Sequence, residues 1–191
     1  MTSPPDLKQL RVLASPMRQA IVDALEAIGP CTVAELAEVL DHPADGLYYH
    51  LRLLKACGLV AGETRPGATR PQAVFDVAGR PTELRYSATD RAQVAAVVRL
   101  VGGMLREALR LFRRGFRPGA VLQGPRRTLW AGRRTAWLSA EELEEVNARI
   151  QQVVGYLSER RGRTPDGRLY AFTFVVSPFG RGRQARTDDP G

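Results

Sequence analysis

Tyr48, Tyr49, His50 and Arg52 crowd into five successive positions, just after Ala44, Asp45 and Gly46, and Arg65 and Arg70 follow within twenty residues. Arginine offers a planar fork of donors that fits a phosphate or the edge of a guanine. A tyrosine combines a hydroxyl with a stacking face, and a neutral imidazole offers one donor and one acceptor. These groups suit recognition of a polar, anionic surface. They do not suit bond-making chemistry, because no nucleophile or base lies near His50 in the sequence to work with it.

The chain has no GxxxxGK[ST] phosphate loop, HExxH or GxSxG, and it has only two histidines, so an enzymatic reading is set aside. Its two cysteines, Cys31 and Cys57, lack the spacing of a zinc site, and a lone thiol beside Pro30 reads as a small buried residue. No cofactor is expected.

Charge narrows the partner. Lys and Arg number 28 against 20 Asp and Glu, giving +8 and a pI near 10.3. Polyanions are the expected ligands, with nucleic acid first and an anionic membrane surface second, although compositional drift toward arginine is the plain alternative. The N-terminus lacks a secretory layout and no apolar run approaches the ~20 residues that span a bilayer, so a cytoplasmic protein without a membrane partner is expected.

Short helices must position the polar cluster. Leu7, Leu10 and Leu13 give one apolar face, and Ser15-Pro16 starts a second helix that Gly29-Pro30 stops. Thr32 and Glu35 form a capping box ahead of Val33, Leu36 and Leu40. The next helix runs from about Pro43 to Ala56 with Leu47, Leu51 and Leu54 inward, leaving Ala44, Asp45, Gly46, Tyr48, Tyr49 and Arg52 outward. His50 lies one step from the leucine stripe, so a structural hydrogen bond and a phosphate contact both remain open. Adjacent helical residues diverge by about 100°, so at least one of Tyr48 and Tyr49 is exposed. After Gly58 the pattern becomes period two, and LVAGETR, PGATRP and QAVFDV read as a hairpin whose basic loop carries Arg70, with TELRYSA as a third short strand.

The run LASPMRQAIVDAL followed by TVAELAEVLDHPADGLYYHLRLLKACGLV resembles the winged helix-turn-helix domain of ArsR-type bacterial repressors over about residues 7 to 78. The resemblance implies operator binding by a symmetric dimer, with the second helix of the motif in the major groove, the hairpin over the backbone, and release by an effector in many members. Metal-sensing members carry paired cysteines where this chain has Thr32 and Ala34, so no thiolate metal site is implied.

From Asp90 to about Arg114, apolar residues recur with helical spacing over some six turns, and the length favours pairing with a second copy over simple covering of the domain's own core. Beyond it, TLWAGRRTAWL and LYAFTFVVSP read as strands around a helix opened by the capping box of Ser139 and Glu142. Trp130, Trp137, Tyr156, Tyr170, Phe172 and Phe174 form either plain core or a pocket for a small-molecule effector. The arginines from Arg113 to Arg134 could extend a DNA footprint, bind an anionic effector, or meet the Glu141 to Glu145 run.

The expected fold is therefore α+β and mainly helical: a winged helix-turn-helix over 1–89, a dimerisation helix and smaller α/β region over 90–178, and a disordered tail over 179–191. The expected function is sequence-specific binding of double-stranded DNA by a homodimeric transcriptional regulator of the repressor kind. The alternatives are a nonspecific nucleic-acid binder and a winged-helix protein-interaction module.

Overall fold

The computed structural model describes residues 7–66, 71–79, 87–162 and 167–179. The N-terminal elements are α1 (Leu7–Leu13), α2 (Pro16–Ile28), β1 (Cys31–Thr32), α3 (Val33–Leu40), α4 (Ala44–Ala56), β2 (Val60–Arg65) and β3 (Gln72–Val77), followed by α5 (Arg91–Gly115) and α6 (Ala140–Ser158). The chain is α+β and mainly helical, as expected.

Helix boundaries follow local chemistry. Pro16 opens α2 where its missing N–H costs nothing, although the Ser15 hydroxyl expected to cap it makes no cap bond. Gly29 ends α2 at φ 91°, a conformation open to glycine. The Thr32 hydroxyl accepts from the Glu35 N–H at 3.3 Å, and Glu35 accepts from the Thr32 N–H at 2.7 Å, completing the capping box of α3. Asp90 caps α5 by accepting from the N–H groups of Ala92 and Gln93.

β2 and β3 form the expected hairpin, with Val60 opposite Val77 and Arg65 opposite Gln72. The sheet has a third strand that the residue pattern does not announce. Cys31 and Thr32 pair antiparallel with Phe75 and Val74, giving the order β1-β3-β2. The expected strand TELRYSA falls largely outside the described residues, and Ser87 and Ala88 carry no strand.

One core joins α2, α3, α4 and the sheet, with Ile21, Leu25, Leu36, Leu47, Leu51, Leu54 and Val60 at its centre. α5, placed by the sequence at the start of a second unit, sends Leu100 into this core and lays Ala96 and Val97 on Leu10 of α1. Gly103 allows the close approach: a β-carbon there would stand 3.4 Å from the amide nitrogen of Gln19, which itself donates to the Leu100 carbonyl at 3.1 Å.

Met104 still packs against the core, but no described residue from there onward is buried. The strands expected in TLWAGRRTAWL and LYAFTFVVSP do not form. Both segments are non-regular: a strand exists only by pairing, and neither pairs with the other or with an edge of the β1-β3-β2 sheet. The same absence overturns the aromatic set as core: Trp130, Trp137, Tyr156, Tyr170, Phe172 and Phe174 are all exposed, Trp137 to 89%.

Candidate nucleic-acid interface

α4 separates its two faces cleanly. Leu47, Leu51 and Leu54 are fully buried, which fixes the rotation of the helix and turns Tyr48 and Tyr49 outward at 55% and 54% exposure. Arg52 is exposed beside them, its guanidinium carbon 5.8 Å from the centre of the Tyr49 ring, within reach of a cation–π attraction that holds the arginine along the helix surface. Asp45 is exposed in the first turn, where a carboxylate is favoured by the helix dipole.

One expected position needs correction. Ala44, expected to face outward, packs against the core margin. The reason is spacing: Ala44 stands three residues before Leu47 and seven before Leu51, on the flank of the same buried stripe. Gly46 is exposed, yet its lack of a side chain serves a neighbour: a β-carbon there would lie 2.6 Å from the His42 ring. His42 thereby rests across the first turn with Nδ1 3.0 Å from the Pro43 carbonyl.

His50 is half-buried, and its ring meets that of Tyr49 edge to face at 5.4 Å between centroids. Its Nδ1 is buried without a hydrogen-bond partner. Burial, then the positive charge of Arg18, then His42, hold the imidazole below its usual pKa. The ring is therefore neutral near pH 7, and with no acceptor near Nδ1 the proton belongs on Nε2. A neutral imidazole can donate one hydrogen bond but brings no charge to a phosphate.

Sequence reasoning missed Lys55 and Phe75. Lys55 follows Arg52 by three residues and Tyr48 by seven, a helical spacing that could have revealed it. Tyr48, Tyr49, Leu51, Arg52, Lys55 and Phe75 line one shallow cleft between α4 and the sheet. Gly62 keeps the cleft open, since a β-carbon there would stand 3.2 Å from the Phe75 ring and 3.4 Å from the Lys55 ammonium. Arg65 is exposed at the end of β2, while Arg70 lies outside the described residues.

α4 is also held from behind. Gln9 donates to the Cys57 carbonyl at 2.9 Å and Lys8 to the Ala56 carbonyl at 3.4 Å, satisfying acceptors that every helix leaves open at its end. Cys31 is buried and Cys57 half-buried, and neither forms a disulfide. Among the described residues, no cluster of three or more His, Cys, Asp or Glu side chains could hold a metal, and no helix is long and apolar enough to cross a membrane.

Residues 13–63 match a helix-turn-helix domain family. The match runs from the end of α1 through α4 into β2, so the helix-turn-helix contains both the buried leucine stripe and the exposed Tyr48, Tyr49 and Arg52. It leaves α5 and everything after it outside. No curated protein matches the chain significantly. In this helix-turn-helix, α3 and α4 are the paired helices and the turn between them is Asp41 to Pro43, with Asp41 in the left-handed conformation at φ 51°. A domain of this kind is the equipment of a DNA-binding regulator.

Proposed function

We propose that this chain is a sequence-specific, double-stranded DNA-binding transcriptional regulator, a repressor of the ArsR type that works as a homodimer without a metal cofactor. The observation that carries the reading is α4 itself: its inner face is closed by three fully buried leucines, and its outer face presents Tyr48, Tyr49 and Arg52 to solvent. A helix so mounted enters a major groove about 12 Å wide. Arg52 then reaches a guanine edge or phosphate, the tyrosine hydroxyls reach base edges or phosphate oxygens, and Asp45 can accept from a cytosine amino group. Arg65, and Arg70 beyond it in the hairpin loop, meet the backbone. His50, neutral and half-buried, sets the orientation of Tyr49 and offers one donor.

The homodimer reading rests on α5. One face joins the N-terminal core, while Val98, Leu105 and Leu109 on another side are exposed to 65%, 48% and 51%. A second copy covering such a face under two-fold symmetry sets two recognition helices on half-sites about 10 to 10.5 bp apart.

Selection of bound duplexes from random sequence at ~150 mM salt, where phosphate-only binding is suppressed, tests the reading. An enriched inverted repeat is expected, and Tyr49→Ala or Arg52→Ala should then weaken binding to it by about 1 to 3 kcal/mol per lost base contact while changing binding to random DNA less. Equal losses on both would reduce the site to phosphate contacts. No enrichment from the folded protein would favour nonspecific binding or a protein partner.

A further inference from the structure

α6 is well formed and uncovered. The Ser139 hydroxyl accepts from the Glu142 N–H at 3.2 Å, and Glu142 accepts from the Ser139 N–H at 2.8 Å. Yet no residue of the helix is buried, and it packs extensively on no element of its own chain. Its apolar residues Leu143, Val146, Ile150, Val153 and Leu157 are spaced three, four, three and four apart. That is the narrow seam by which one helix packs along another.

α5 carries a run of the same spacing and length, Val98, Val101, Leu105, Ala108 and Phe112, of which Val101 also touches the Leu10 cluster while the other four lie outside the N-terminal core. Their charges are opposite. Arg106, Arg110, Arg113 and Arg114 crowd the last turns of α5 around a single Glu107, and Glu141, Glu142, Glu144 and Glu145 fill the first turns of α6. Among the described residues no ion pair joins the two helices; Arg110 pairs with Glu107, Arg114 with Asp41 and Arg149 with Glu145.

Within one chain the two seams stay apart because α6 is fastened elsewhere by its far end. The Gly162 N–H donates to the Ala27 carbonyl at 2.9 Å, and the Arg161 guanidinium pairs with Asp76 of β3. We infer that α6 of each protomer lies antiparallel along the α5 seam of a second copy, so that the C-terminal half completes its packing only by exchange of arms. The antiparallel sense sets the acidic start of α6 against the basic end of α5. It aligns Leu143 with Phe112, Val146 with Ala108 and Leu157 with Val98. This arrangement rests on the homodimer proposed above and specifies what forms it.

Single-cysteine chains decide the matter, made full-length with Cys31→Ala and Cys57→Ser and one copy enlarged by a tag. A chain bearing Ala108→Cys is mixed with one bearing Val146→Cys and oxidised; a covalent heterodimer is expected. The pair Ala108→Cys with Leu157→Cys, about three turns out of register, should give none, since a disulfide needs α-carbons within about 7 Å. One chain carrying both Ala108→Cys and Val146→Cys that closes on itself without covalent dimer would show packing within the chain and overturn the proposal. Absence of any cross-link from chains that still sediment as dimers would also overturn it, leaving the dimeric regulator intact. A wild-type chain monomeric at micromolar concentration would defeat both. Should the cysteine-free chain fail to fold, a photo-crosslinking residue at Val153 of the otherwise natural protein distinguishes the same alternatives: an adduct of doubled mass mapping to α5 supports the exchange, and one of single mass overturns it.

Discussion

Between Leu7 and Gly103 each helix lays its apolar stripe against another element, so that Leu10, Leu25, Leu36, Leu47 and Leu100 are almost wholly removed from water. From Met104 to Phe179 the chain is no less apolar in pattern, with two tryptophans and a seamed helix, but no described residue is buried. The difference lies in what each half can reach. Four short helices and a hairpin joined by tight turns find one another within the chain, whereas α6 is separated from α5 by a long non-regular stretch and anchored by Arg161 and Gly162 to β3 and the end of α2. An amphipathic pattern states which surface must be covered and leaves open what covers it.

The sharpest way to break this contrast is truncation of one large side chain in each half. Leu47→Ala or Leu54→Ala should cost about 2 to 5 kcal/mol in urea unfolding, through lost burial and the cavity left behind. Trp137→Ala should stay within about 0.5 kcal/mol in the dilute protein, as an exposed substitution does. Comparable losses at Leu47 and Trp137 would mean that the C-terminal half has a core of its own.

Next in size is the joint between the halves. Gly103→Leu puts a side chain where Gln19 already sits at contact distance, and should destabilise the protein by about 1 to 3 kcal/mol. Gly155→Leu on α6, where a β-carbon would meet nothing within 4 Å, should leave the unfolding midpoint nearly unchanged.

Removal of the α3 cap by Thr32→Ala should cost about 1 kcal/mol of global stability, because α3 is welded into the core. The corresponding Ser139→Ala should lower helix content by circular dichroism without moving the main unfolding transition. Ser15→Ala should do neither, since that hydroxyl makes no cap bond.

The smallest effect is expected at His50. Its folded pKa lies below the ordinary value near 6.5, so above that pH the ring is neutral in both states and contributes no slope. As pH falls through about 6.5 toward the folded value, the unfolded chain takes up the proton first and stability declines. His50→Gln should flatten this acid-side decline when urea midpoints are compared between about pH 7.5 and about pH 5.5.

How far the sequence is readable follows the same division. The capping boxes at Thr32 and Ser139, the span of α5 and the inward leucines of α4 are local signals, each set by residues a few positions apart, and each appears where the pattern places it. β1 escapes because two residues cannot show a period, and Thr32 already has a task as the cap of α3. Ala44 is misjudged although its spacing of three from Leu47 and seven from Leu51 places it beside the inward stripe. The apolar run LYAFTFVVSP is real as composition, but a strand forms only by pairing, and this segment pairs with no described strand. Within the candidate interface, Tyr48, Tyr49 and Arg52 are legible from the leucine stripe opposite them, while Phe75 joins α4 only through the fold of the hairpin.

α1 has only seven residues, but it touches both ends of the machinery. Leu10 beds against Ala96 and Val97 of α5, and one residue earlier Gln9 holds the Cys57 carbonyl at the end of α4. It is therefore a strut between the helix that bears the exposed apolar face and the helix that bears the polar cluster. A rotation of α5 against the domain must carry this strut with it, and so tilt the end of α4, or else snap a 2.9 Å hydrogen bond and open a fully buried leucine to water.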